Sequence, residues 1–142
     1  MAQYDECIFC RIVKGEIPCH RIYEDNSVLA FLDINPVNKG HTLILPKKHF
    51  ENILDISPDD MKDVSLIAKN LAIRYKPILN ATGFNILNAS GKDAQQSVNH
   101  FYMHLAPRYP DDGIDLWFHP KEDLKIELKG LAESLDQALK KL

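Results

Sequence analysis
The sequence predicts a single domain that mixes short β-strands with two amphipathic helices, and three observations lead there. The stretch His100-Phe-Tyr-Met-His-Leu-Ala-Pro-Arg-Tyr109 alternates: in an extended chain Phe101, Met103 and Leu105 point to one side while His100, Tyr102 and His104 point to the other. Further short apolar runs are bounded by turn residues, as strands are. Two longer segments instead repeat their apolar residues at three- and four-residue spacing, as helices do.

In chain order, Arg21-Ile-Tyr23 and the run Ser27 to Ile34 read as strands joined at Glu24-Asp25-Asn26, a hairpin. After the turn Asn38-Lys-Gly40, the run His41 to Pro46 is a third strand. Ser57-Pro58-Asp59-Asp60 starts a helix, with a hydroxyl for the first free amides, proline where no amide is needed and two acids at the positive end of the dipole. Met61, Val64, Ala68, Leu71, Tyr75 and Ile78 form its apolar stripe, and Pro77 places its end nearby. Gly83 to Asn88 is a fourth strand, and the polar loop Ala89 to Ser97 leads to the central stretch, where Pro107 ends the ladder. Lys121 to Leu142 carries Leu124, Leu128, Leu131, Leu135, Leu139 and Leu142, a second amphipathic helix.

Composition narrows the function classes. With 142 residues, 45% hydrophobic, one core accounts for the whole chain, 1–142. A net charge of -3 and no long basic run give no field to attract nucleic acid. No apolar run approaches the roughly 20 residues of a membrane span, and the opening Met-Ala-Gln-Tyr-Asp-Glu is polar and acidic where a signal peptide is basic and then apolar. A soluble, cytoplasmic protein is expected. Three cysteines make no disulfide framework and suit a reducing compartment.

Several residues are suited to chemistry. Cys7 and Cys10 can grip one zinc ion, but a tetrahedral site needs two more ligands, and a pair of small buried residues explains them equally well. Asp33 ends a buried-looking strand, either as a turn former before Asn35-Pro36 or as a functional carboxylate. His41 and His49 end the third strand region, either locally hydrogen-bonded or facing chemistry and metal. Asn88, Gln96 and Ser97 offer donors to phosphate oxygens, or belong to an ordinary solvated loop.

Cys7-Ile-Phe-Cys10, Ala30-Phe-Leu-Asp33-Ile34, Gly40-His-Thr-Leu-Ile-Leu-Pro-Lys47, Gln96-Ser-Val98 and His100-x-x-x-His104-x-x-Pro-Arg108 occur in order. Together they resemble the histidine triad (HIT) family, most closely its Hint-like branch, over a motif-bearing core of about residues 7–108 with a C-terminal extension and helix over 109–142. The resemblance implies an α+β fold with a mainly antiparallel sheet of about five strands and a long helix, paired into a homodimer. It also implies purine nucleotide binding and hydrolysis at the α-phosphate of nucleoside phosphoramidates or related nucleotides. By residue, it places the base among Ile8, Phe9, Ile12, Phe31 and Ile34 and the ribose hydroxyls on Asp33. The phosphate falls to Asn88, Gln96, Ser97 and His104, with His41 beside it, and structural zinc to Cys7, Cys10, His49 and His100.

Two positions depart from the family pattern. The middle histidine of its His-x-His-x-His motif, the nucleophile, falls on Tyr102, and the glycine before Gln96 falls on Gln95. A phenol with a pKa of about 10 is roughly a thousandth ionised at pH 7, a handicap of about 4 kcal/mol to attack. The expectation is therefore a hydrolase with impaired or altered turnover, in which His104, His41 and Ser97 serve any remaining chemistry around Tyr102. The alternative is a non-catalytic nucleotide sensor or a dimeric interaction module.

Overall fold
The computed structural model describes residues 6–141. The first five residues, on which most of the leader argument rests, and Leu142, expected at the end of the C-terminal stripe, lie outside the described residues. The chain forms two compact units, one up to Asp112 and one from Gly113 onward.

In the first unit, helix α1 (Ile8–Val13) precedes strands β1 (Arg21–Glu24), β2 (Val28–Leu32) and β3 (Thr42–Pro46). The long helix α2 (Pro58–Leu79), strand β4 (Gly83–Leu87), a 3-10 turn at Lys92–Ala94 and strand β5 (Met103–Arg108) follow. The strands form one five-stranded sheet in the order β1-β2-β3-β5-β4, antiparallel throughout. The fold is α+β, as expected. Asp25 makes the first hairpin: its carboxylate accepts from the amides of Ser27 and Val28 at 2.7 and 2.8 Å, and from the Tyr23 hydroxyl.

The period of two divides the sheet into two packed faces. Val28, Ala30, Ile44, Met103 and Leu105 pack with Phe101 against Val64, Ala68, Leu71 and Tyr75 of α2. Leu29, Phe31, Leu43, Leu45 and Tyr102 form the other face, covered by Cys7, Phe9 and Cys10. Each large apolar side chain buried here contributes about 1.5–3 kcal/mol. Helix α2 starts where the sequence places it: Ser57 Oγ accepts from the Asp60 amide at 3.0 Å and donates to the Asp60 carboxylate at 2.6 Å. Pro77 lies inside its last turn, and Asn80 closes it in the left-handed conformation.

Two expected elements begin later than the sequence suggests. The central strand starts at Met103, because His100 turns back onto the Val98 carbonyl and Phe101 bonds the Phe50 carbonyl. In the second unit, Glu122–Glu127 is a 3-10 segment and helix α3 spans Leu128–Leu139. Among the described residues no helix is long and apolar enough to cross a membrane.

Candidate functional site
A cleft of about 390 Å³ opens on the α1 face of the sheet. Ile8, Phe9 and Ile12 of α1 wall it with Ile17, Pro18 and Cys19, and Phe31, Ile34 and Leu43 complete its apolar part. Asp33, Ser97, Tyr102 and His104 supply the polar end. Asn88 and Gln96 are not among its lining residues; their amide groups donate to backbone carbonyls beside the loop. Asn88 Nδ2 donates to the Tyr102 carbonyl at 2.9 Å, and Gln96 Nε2 donates to the carbonyls of Glu51 and Val98. A second hollow of about 350 Å³ shares Ile8, Ser97 and Val98 with the cleft.

His41 sits behind the cleft, buried, and is aimed by Gly40. A side chain at Gly40 would meet Leu79 Cδ1 at 2.6 Å, and its φ of +88° is one that glycine adopts readily. His41 Nδ1 accepts from the Val37 amide at 3.1 Å, and its Nε2 lies 2.9 Å from His104 Nδ1 and 3.6 Å from Asp33 Oδ2. These contacts assign the protons. An amide can only donate, so a neutral His41 carries its hydrogen on Nε2 and gives it to His104 Nδ1. His104 then carries its own hydrogen on Nε2. Burial holds both imidazoles below the ordinary histidine pKa, with Asp33 opposing; the mutual repulsion of the two rings lowers His104 further.

The atoms of Asp33, His41 and His104 are close enough to hold a metal ion, but the Val37 amide argues against it. A metal on His41 Nε2 would leave a hydrogen on Nδ1 facing that amide hydrogen. The cluster is therefore a hydrogen-bond relay.

Cys7, Cys10, His49 and His100 form a second cluster, a candidate structural metal site. Cys10 Sγ lies 3.2 Å from His49 Nδ1 and 3.5 Å from His100 Nδ1, and Cys7 Sγ lies 3.5 Å from His100 Nδ1. A tetrahedral ion bound at about 2.3 Å to sulfur and 2.0 Å to nitrogen sets its ligand atoms about 3.3–3.8 Å apart, so the spacing fits. His100 Nε2 donates to the Pro46 carbonyl at 2.8 Å, which leaves the Nδ1 lone pair for the ion. Burial drives the His100 pKa down to about 4, so the ligand form is present at neutral pH. Burial and the neighbouring Cys7 push the Cys10 thiol up to about 12; an ion bound there would reverse this.

The expectation of a triad depleted at Tyr102 is corrected by the structure. His100 and His104 are both intact members of clusters, one with the cysteines and one with His41 and Asp33. Tyr102 is a packed residue of the sheet face, set edge-on to Phe9 with ring centroids 5.1 Å apart, and its hydroxyl lies 2.7 Å from Ser97 Oγ. The physical reason is the late start of β5: His100 precedes the strand and turns towards the cysteines, while His104 within it meets His41 across the β3–β5 ladder. Sequence reasoning missed the Val37 amide and the wall formed by Ile17 and Pro18. No side-chain pattern marks either.

A model described as the HIT domain matches residues 14–111. The Bacillus subtilis protein named Protein hit is 42% identical over 142 residues, covering 95% of each chain. Adenosine 5'-monophosphoramidase hnt1 of Schizosaccharomyces pombe is 33% identical, over 94% of this chain and 98% of its own. The crystal structure of a Zn-bound histidine triad family protein from Mycobacterium smegmatis superposes with a TM-score of 0.76 at 35% identity, covering 95% of this chain and 99% of that one. The chain belongs to the HIT-domain family, on its Hint-like branch.

Proposed function
We propose that the cleft binds a purine nucleotide and that the protein hydrolyses nucleoside phosphoramidates or related nucleotides at the α-phosphate. The observation that carries this reading is the junction of an apolar slot with a polar end made of Asp33, Ser97 and His104. The base lies among Ile8, Phe9, Ile12, Phe31 and Ile34, and Asp33 accepts from the ribose hydroxyls. His104 Nε2 and the Ser97 hydroxyl donate to the phosphate oxygens, where charge grows during attack. Water adds to phosphorus, the phosphorus–nitrogen bond breaks, and the proton that water releases ends on the departing amine. The adjoining hollow leaves room for that amine. Asn88 and Gln96 keep the phosphate loop in shape through its backbone. The relative named adenosine 5'-monophosphoramidase supports this substrate class.

Zinc is the ion proposed for the second cluster, because two thiolates and two imidazoles in tetrahedral spacing suit it. Bound there, it would tie α1, a wall of the cleft, to His49 and His100. The homodimer and the cytoplasmic location implied by the resemblance belong to the same proposal, as does the single HIT domain over 1–142. One observation favours a second reading, a non-catalytic nucleotide sensor: the Ser97 hydroxyl is already engaged with the Tyr102 hydroxyl.

Turnover of a fluorogenic adenosine phosphoramidate separates the two. Hydrolysis that His104→Ala reduces at least tenfold supports the enzyme; tight adenosine monophosphate binding without turnover supports the sensor.

A further inference from the structure
Tyr102 holds both ends of the loop that runs from Asn88 to Ser97. Its carbonyl accepts from Asn88 Nδ2 at 2.9 Å, and its hydroxyl lies 2.7 Å from Ser97 Oγ. The phenol ring is fixed in place: it is 5% exposed, with Phe9 and His104 each edge-on at 5.1 Å between ring centroids. Ser97 differs. It is exposed and borders both the cleft and the adjoining hollow, and a serine hydroxyl rotates unless something holds it.

What each hydroxyl can otherwise reach sets the direction of their hydrogen bond. Among the described residues the partner of the phenol hydroxyl is Ser97 Oγ, whereas the serine also faces open space. A serine donating inward would leave the buried phenol with a hydrogen and no acceptor. A phenol donating outward satisfies itself and keeps the serine hydrogen available. We propose that Tyr102 is a positioning residue: it donates to Ser97 Oγ, fixes that oxygen, and turns the serine hydrogen toward the phosphate of a bound nucleotide. Accepting this bond also polarises the serine O–H and strengthens it as a donor. The inference rests on the reading of the cleft as a nucleotide site. On it, the contact with Tyr102 prepares Ser97 for phosphate and does not withhold it.

Calorimetry on the full chain with adenosine monophosphate and adenosine tests this, because the ratio of the two affinities isolates the phosphate. Ser97→Ala is expected to lower that ratio about tenfold or more, and Tyr102→Phe, which keeps the packed ring, about threefold to tenfold. The double variant should be no worse than Ser97→Ala alone, because Tyr102 acts through the serine. Affinity for adenosine should hold in all three. A phenol that only packs would shift both ligands together, so an unchanged ratio in Tyr102→Phe overturns the proposal. Losses that add in the double variant also overturn it and put the phenol on the phosphate directly. A native chain that shows no preference for adenosine monophosphate overturns the nucleotide reading and this inference with it; a native preference that Ser97→Ala alone reduces overturns this inference and leaves the reading standing.

Discussion

His41 Nε2 and His104 Nδ1 lie 2.9 Å apart, and the Val37 amide on the far side of His41 fixes which of them donates. One backbone hydrogen thus sets the proton on His104 that faces the cleft. Replacing His41 with alanine leaves His104 free to change tautomer and removes its buried partner, at a cost of about 1–3 kcal/mol. Affinity for adenosine monophosphate is expected to fall by about that amount by calorimetry, while affinity for adenosine stays constant. Equal losses for both ligands would contradict the relay.

The metal cluster should be measurable directly. Protein purified without a histidine tag is expected to carry about one zinc per chain, and Cys10→Ser should abolish it while Cys19→Ser should not. Chelation should lower the melting temperature of the native chain and leave that of the Cys10→Ser variant unmoved. Retention of full metal by Cys10→Ser would contradict the four-ligand site.

Acid should unfold the metal-free protein in a defined window. Burial lowers the His100 pKa from 6.5 to about 4, so between these values the unfolded chain takes up a proton that the folded chain refuses. Stability is therefore full above pH 6.5, falls as the pH drops towards about 4, and loses nothing more from this residue below that. His41 and His104, lowered in the same sense, add to the fall. Urea midpoints measured across this range check it; a flat profile would contradict the burial of the three imidazoles.

Gln95 has a φ of 68°, in the left-handed region that costs a side-chain-bearing residue about 1–2 kcal/mol. Gln95→Gly relieves that strain, less the extra freedom of glycine in the unfolded chain. The expected net gain in stability is between zero and about 1 kcal/mol, read from thermal melts. A loss larger than that would mean that the Gln95 side chain holds the loop.

Much of this was legible in the sequence, for physical reasons. Strands β2 and β3 follow from apolar runs bounded by turn residues, and Ser57 with Pro58 marks the start of α2 because one satisfies and the other removes an unpaired amide. Gln95, which stands where the family pattern has glycine, has a positive φ, a backbone feature that the sequence reading did not draw from that departure. Other features were not legible. Continuous alternation from His100 to Tyr109 gave no sign that the strand would wait until Met103, since the bonds of His100 and Phe101 to the backbone leave no side-chain pattern. Lone Asn88 and Gln96 look alike whether they serve a ligand or a loop, and only their partners decide. Tyr102 was read as a missing histidine, because a motif counts positions and does not report that its hydroxyl rests on Ser97.

The most direct test of the nucleotide site pairs a change in the protein with a change in the ligand. Calorimetry would compare adenosine monophosphate with its 2',3'-dideoxy analogue on the native chain and on Asp33→Asn. The native chain should prefer the hydroxylated ligand by about 1.5–3 kcal/mol, as hydrogen bonds to a charged group allow, and the variant should lose most of that preference. An equal preference in both proteins, or no binding of either ligand at millimolar concentration, would contradict the placement of the ribose on Asp33.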